Sequence, residues 1–233
     1  MASLLIKNAR IASEENDDLL LADVLVKEGV ITSIGSDIDA ESDTRVIDGS
    51  GKILSPAMFD THIHMREPGQ EAKETIKSGT EAAINGGITG VVLMPNTSPA
   101  IDSAAMVRTI YEIAERDARI PVYTSGCITK GREGKELAGI DGMLQLGVKM
   151  LTDDGDAVPD MMLLKRAMEY AGEFDCFFAS HCEVLELSGP RALNEGKVSY
   201  KLGIQGTPAC SEEICMDRDI RLAHATGARL HIQ

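Results

Sequence analysis

The chain has 233 residues, 43% of them apolar and 26% charged, an ordinary globular balance that excludes disorder, collagen and a small disulfide scaffold. Basic side chains number 23 and acidic ones 37, and the resulting net charge of −14 repels polyanions, so a small-molecule enzyme or a protein-binding partner is expected and a nucleic-acid partner is not. No run approaches the roughly 18–20 apolar residues of a membrane helix, and the N-terminus lacks the apolar core of a signal peptide, which predicts a cytoplasmic protein with no membrane partner.

Residues 1–54 read as short strands forming a small β part. Leu4-Leu5-Ile6 is followed by Asp23-Val24-Leu25-Val26, a Lys27-Glu28-Gly29 turn and Val30–Gly35, the pattern of a hairpin with glycine at its bend. Two further runs, Arg45–Asp48 and Lys52–Leu54, flank Gly49-Ser50-Gly51. This unit is too thin to bury a core by itself.

From residue 55 to 233 the texture becomes strand, turn and amphipathic helix in repetition, which predicts parallel β/α units. Strands are expected at Met58–Asp60, Thr89–Met94, Ile120–Ser125, Val148–Thr152, Cys176–Ser180 and Ala228–Ile232. Ser103 is placed to cap a helix whose Met106, Val107, Ile110, Ile113 and Ala114 share one stripe, and Pro159 to stand in the first turn of another. A (β/α)8 barrel needs eight such units and about 250 residues. Six are present, so the expectation is either a smaller open sheet or a TIM-like barrel seen incompletely at its C-terminus.

The cysteines Cys127, Cys176, Cys182, Cys210 and Cys215 are odd in number and form no C-x-x-C pair, which predicts reduced thiols, mostly in the core. Chemistry is carried elsewhere. His62 and His64 end the first of the six strands, and residues two apart on a strand point the same way, so their imidazoles form a clip for a metal ion. Asp153 closes the fourth strand and His181 the fifth. Imidazoles plus a carboxylate gathered at one rim suit zinc, and a carboxylate can bridge two ions that share an activated water. Read locally and alone, Asp153-Asp154-Gly155 is a plain turn before it is a ligand site.

The blocks Phe59-Asp60-Thr61-His62-Ile63-His64-Met65-Arg66-Glu67-Pro68-Gly69, Met94-Pro95-Asn96-Thr97, Thr152-Asp153-Asp154-Gly155, Ser180-His181-Cys182-Glu183 and Arg218-Asp219-Ile220 make the chain resemble the type I dihydroorotases of the amidohydrolase superfamily. The resemblance implies a (β/α)8 barrel beside a β-sandwich part, and zinc, two ions per site. It implies the reversible cyclisation of N-carbamoyl-L-aspartate to L-dihydroorotate in pyrimidine biosynthesis. Position by position, His62 and His64 match ligands of the more buried ion, Asp153 the bridging carboxylate and His181 a ligand of the second ion. Arg66 and Asn96, with His64 beside them, match the residues that hold the substrate carboxylate. Self-association and a complex with aspartate transcarbamoylase are implied by resemblance only.

Four departures from the pattern bear on this reading. Ala57 stands where glycine is usual and Val184 where aspartate is usual. Lys149 occupies a strand position at which hydantoinases and allantoinases carry a carboxylated lysine bridge, which makes it the runner-up for that role. At the C-terminus His231 is expected to be a packing or supporting histidine, while a further ligand and the general base are expected beyond Gln233. No catalytic acid or base is therefore expected within residues 1–233, which as a free fragment should be inactive. Two other readings stand beside dihydroorotase. One is a hydantoinase, dihydropyrimidinase or allantoinase, whose neutral rings give Arg66 no carboxylate to hold; the other is a non-catalytic scaffold.

Overall fold

The computed structural model describes residues 3–13, 16–189 and 192–233. The chain divides into two compact units, residues 1–58 and residues 59–233.

In the first unit, β1 (Leu4–Ser13), β2 (Asn16–Lys27), β3 (Val30–Gly35), β4 (Arg45–Asp48) and β5 (Ile53–Leu54) share one sheet. Its order is β3-β2-β1-β4, with β5 also paired to β1. The β2–β3 hairpin turns on Glu28 and Gly29, both in the left-handed region (φ 52° and 80°), the two-residue bend whose twist matches that of antiparallel strands. Between Ile6 and Ala9 the register of β1 on β2 shifts. There Asn8 takes φ 56°, and its N–H donates to the buried Asp23 carboxylate at 2.8 Å. Asp23 also accepts from the Ile38 N–H at 3.1 Å, so one acid satisfies the bulge and the loop after β3 together. Leu5, Ala9, Ala22 and Val24 are buried, whereas Leu20, Leu21, Val30, Ile31 and Val46 remain exposed.

The second unit carries β6 (Met58–Ile63), β7 (Ile88–Leu93), β8 (Val122–Thr124), β9 (Met150–Leu151), β10 (Phe177–Ser180) and β11 (Leu230–Ile232). They form two three-stranded sheets, β6-β7-β8 and β9-β10-β11. The pairs β7–β8, β9–β10 and β10–β11 are parallel, and a single parallel bridge from Gly126 to Leu151 links the sheets' neighbouring edges. Helices α1 (Ile76–Asn85), α2 (Ala104–Asp117), α3 (Ile140–Gln145), α4 (Met161–Ala171), α5 (Leu185–Ser188), α6 (Lys197–Leu202) and α7 (Ala209–Thr226) lie between the strands in sequence. All six expected strands are present, several of them shorter than the apolar runs that announced them. The fold is α/β with several sheets.

Local chemistry explains where the helices begin. Thr75 caps α1, its hydroxyl accepting from the Ser78 N–H at 3.0 Å while the Ser78 hydroxyl accepts from the Thr75 N–H. Glu67 adds a carboxylate at the same end, accepting from the Ile76 N–H at 2.9 Å. Ser103 stands at the cap position of α2 but makes no side-chain cap bond. Pro159 lies outside its helix rather than in the first turn, because Asp160 is the residue whose carboxylate accepts from the Met162 and Leu163 N–H groups and so starts α4. The main core collects Val91 and Leu93 from β7, Val107 and Ile110 from α2, Met143 from α3, Leu151 from β9, and Leu164 and Met168 from α4. Burying this many fully enclosed aliphatic side chains, at roughly 1.5–3 kcal/mol each, is what offsets the entropy of ordering the loops at the strand ends. Cys127, Cys176, Cys182 and Cys215 are buried free thiols and Cys210 is an exposed one. Among the described residues, no helix is long and apolar enough to cross a membrane.

Candidate metal centre

Strand alternation brings His62 and His64 to one side, with ring centroids 5.1 Å apart and planes inclined at 69°. The Asp60 carboxylate accepts from the His62 N–H at 3.0 Å and pins the approach to the clip. Facing the two rings is Asp154, almost fully buried, with Oδ1 at 3.2 Å from His62 Nε2 and Oδ2 at 3.7 Å from His64 Nδ1. One donor atom from each of the three residues falls within 4.8 Å of the others, and two imidazoles with a carboxylate form a borderline-soft set of the kind zinc takes.

The acid beside the imidazoles is Asp154, and not Asp153 as expected. Asp153 is equally buried but faces the other way. Its Oδ1 accepts from the backbone N–H groups of Ile128 and Thr129 at 2.8 and 3.0 Å, and its Oδ2 takes the Thr129 hydroxyl. Burial raises the pKa of the Asp153 carboxyl, while the Thr129 and Ile128 donors oppose that rise. The turn is fixed from its main chain as well. The Thr152 hydroxyl accepts from the Asp154 N–H at 3.1 Å, and the Arg132 guanidinium donates to the carbonyls of Asp153 and Asp154 and to the Asp156 carboxylate. A loop more than twenty residues away in sequence thus claims one carboxylate and leaves its neighbour to the histidines.

Asn96 joins the group through both ends of its amide. Its Nδ2 donates to Asp154 Oδ2 at 2.8 Å, and its Oδ1 lies 3.1 Å from His64 Nδ1. A proton on His64 Nδ1 satisfies that contact and leaves Nε2 as the lone-pair donor. Asn96 therefore positions two of the donor residues, and gripping a substrate carboxylate would require one end to let go. Arg66 is half-buried nearby, its guanidinium 3.5 Å from the Asn96 carbonyl oxygen. On the other flank the Gln233 amide Nε2 lies 2.8 Å from His62 Nδ1. Burial holds the His62 pKa below its ordinary value; the charges of His64 and His181 push the same way, and Asp154 opposes them. The ring is thus favoured in the neutral form that ligates metal.

His181 follows β10 and lines an open cavity of about 640 Å³ with Glu183, Glu195, Glu212 and Gln233. It lies outside the group of donor atoms within 4.8 Å, though near enough for its charge to act on His62. His231 is exposed and turns edge-on to the Phe177 ring at 6.3 Å. Lys149 is not a bridge in this structure. It precedes β9, at the end of the strand opposite the acidic turn, and its ammonium pairs with Asp175 at 2.9 Å in an exposed setting. The substitution Lys149→Met is expected to leave bound metal unchanged and turnover within about twofold, since an exposed pair of this kind contributes little. Metal analysis of the purified variant checks this, and loss of the metal would restore the lysine to the centre.

Sequence reasoning found His62 and His64 through their spacing. It missed Asp154 and Gln233. The Asp-Asp doublet did signal an acid there, but nothing local distinguishes its two members, and no pattern marked Gln233.

Known structures share this fold. The chain superposes on an L-hydantoinase (dihydropyrimidinase) from Arthrobacter aurescens with a TM-score of 0.80 at 22% identity, covering 100% of this chain and 52% of that one. For a D-hydantoinase (dihydropyrimidinase) from Thermus sp. the TM-score is 0.72 at 25% identity, over 98% and 51%. The fold is thus one shared with hydantoinases. The family model described as Dihydro-orotase-like matches residues 51–233. Curated dihydroorotases from Syntrophobacter fumaroxidans and Ruminiclostridium cellulolyticum are 44% and 42% identical to the chain, each over 98% of its length and 53% of their own. The chain belongs to the dihydroorotase-like family, and it spans about half the length of the curated relatives it matches.

Proposed function

We propose that the protein of which this chain is part is a dihydroorotase, interconverting N-carbamoyl-L-aspartate and L-dihydroorotate in the cytoplasm. We propose further that β6 to β11 are six strands of a (β/α)8 barrel beside a β-sandwich part. The observation that carries the reading is the His62, His64 and Asp154 group, whose donor atoms lie within 4.8 Å of one another at the C-terminal ends of β6 and β9. Whole-chain identity of 42–44% to curated dihydroorotases supports this substrate over a hydantoin, for which the neighbours are 22–25% identical.

In this reading His62, His64 and Asp154 hold zinc, and a second ion is held with the help of His181. When bound, zinc polarises the amide carbonyl and lowers the pKa of a bound water towards neutrality. The remaining work falls to side chains of this chain. Asn96 keeps the Asp154 carboxylate and the His64 ring in fixed register. The Arg66 fork is placed to pair with the carboxylate that both substrates carry, an attraction strengthened by partial exclusion of water. Gln233 orients the His62 ring from the far side.

The test is a carbamoyl-aspartate cyclisation assay on the complete protein of which this chain is part and on its Arg66→Ala variant. Loss of a charge-assisted bidentate contact, worth about 1.5–3 kcal/mol, should raise KM roughly 10- to 100-fold while kcat changes less. An unchanged KM would remove the substrate assignment, and turnover of a neutral hydantoin in preference to carbamoyl-aspartate would redirect it.

A further inference from the structure

A second cluster of ligating atoms, separate from the His62, His64 and Asp154 group, is assembled from the segment after β10 and from α7. The sulfurs of Cys182 and Cys215 and the carboxylate of Asp219 lie within 4.8 Å of one another, and all three residues are buried. Asp219 is already satisfied: the Ser180 hydroxyl donates to Oδ2 and Arg218 Nε to Oδ1 at 2.7 Å. The same guanidinium reaches the Cys215 sulfur with its NH2 nitrogen at 3.4 Å, so the positive charge a metal would bring is supplied by Arg218. What is left unassigned is the pair of thiols. They pack together with Ala157, enclosed by Val184, Met216 and Ile232. A disulfide bond is about 2.05 Å long, so the two sulfurs, which lie within 4.8 Å of one another, must draw together for it to form.

Access is asymmetric. Cys182 lines the 640 Å³ cavity, whereas Cys215 is fully enclosed. A small oxidant entering the cavity reaches Cys182 first, and the Cys215 sulfur lies within 4.8 Å of the Cys182 sulfur.

We infer that Cys182 and Cys215 are an oxidisable dithiol, a modification site that closes to a disulfide under peroxide. The Cys182 thiolate attacks a peroxide oxygen; the O–O bond breaks, hydroxide leaves, and Cys182 becomes a sulfenic acid. The Cys215 sulfur then attacks the Cys182 sulfur, forming the S–S bond and breaking S–O. The departing hydroxyl takes up the Cys215 proton and leaves as water. Over both steps two thiols lose two electrons and two protons, and one hydrogen peroxide becomes two waters. The bond ties the segment that begins with His181 to the middle of α7, and a thiol reductant opens it.

The experiment is peptide mapping of the full chain after graded hydrogen peroxide, with remaining thiols alkylated before digestion. A cross-linked peptide joining Cys182 to Cys215 is expected, with Cys127 and Cys176 recovered alkylated and the link lost on reduction. Both Cys182 and Cys215 recovered alkylated at a dose that oxidises the exposed Cys210 would overturn the inference, and so would a link from Cys182 to Cys210. Protection of both thiols by stoichiometric zinc, in protein still carrying a full complement at the histidine centre, would make the cluster a metal site instead and overturn it equally. In Cys215→Ser the cross-link should vanish and Cys182 should react with dimedone as a trapped sulfenic acid. The mapping of the unaltered chain decides the matter even if that variant folds poorly.

Discussion

Replacing Asp154 by asparagine is expected to strip the centre of its metal and lower carbamoyl-aspartate turnover by roughly a thousandfold, whereas the same change one residue earlier should do neither. The two substitutions are chemically identical and adjacent in sequence, so only the direction each side chain faces separates them. Asp154 supplies the carboxylate that faces His62 and His64, and an amide there is a far poorer ligand. A centre that provides several kcal/mol of transition-state stabilisation, at 1.36 kcal/mol per tenfold, sets the scale of about 10³. At Asp153 an amide oxygen can still accept from the Ile128 and Thr129 N–H groups, and a neutral group escapes the burial that raises the native pKa. Asp153→Asn should therefore keep its metal and turnover to within about tenfold, with stability changed by about 1 kcal/mol at most. Metal analysis after dialysis, paired with the cyclisation assay, reads both variants. The inverse outcome would return the central carboxylate to Asp153.

The second large effect is expected at Gly69, from which two turns near the centre are locked together. Gly69 has φ +95°, a backbone state side chains rarely adopt, and a Cβ added there would lie 1.9 Å from the Ser98 carbonyl oxygen and 2.8 Å from its carbon. The obstacle is backbone, so no rotamer relieves it. The Ser98 N–H donates to the Pro68 carbonyl at 3.1 Å, which ties the 66–70 turn to the 96–99 turn and through them Arg66 to Asn96. Gly69→Ala must separate these turns or distort one of them, at a cost of about 3 kcal/mol or more. In a chain of this size that lowers Tm by roughly 5–10 °C, and the accompanying loss of Arg66 placement should raise KM. A melting curve superimposable on that of the parent would show that the close approach is not required.

How much of this was legible in the sequence depends on whether the deciding contact is local. Strands β7 and β10 announce themselves because strands covered on both faces read as near-continuous apolar runs. Their lengths are less legible. Val148–Thr152 promised a longer strand than Met150–Leu151, since the Gly126 N–H pairs with the Met150 carbonyl and the Thr152 N–H returns to the Gly126 carbonyl, a partner the local pattern does not reveal. The histidine clip was readable because strand alternation is a property of the chain itself. The choice between Asp153 and Asp154 was not, because it is made by Thr129 and the N–H groups beside it. Lys149, the runner-up for the bridge, is ion-paired instead, and its partner Asp175 lies too far along the chain for the strand pattern to reveal it. Pro159 was displaced by one residue's worth of capping chemistry from Asp160.

Arg132 touches neither histidine, yet its planar fork reaches two consecutive carbonyls and an acid of the 152–156 turn. The orientation of Asp154 is thereby inherited from a short 3-10 segment, Lys130–Arg132, that sequence comparison alone would class as connecting loop. A lysine at 132 presents a single point of charge and cannot span those three acceptors. An apparently conservative drift at that position would be felt as a misaimed ligand elsewhere, and the tolerance of the centre to change is set partly by a residue no inventory of its donors would include.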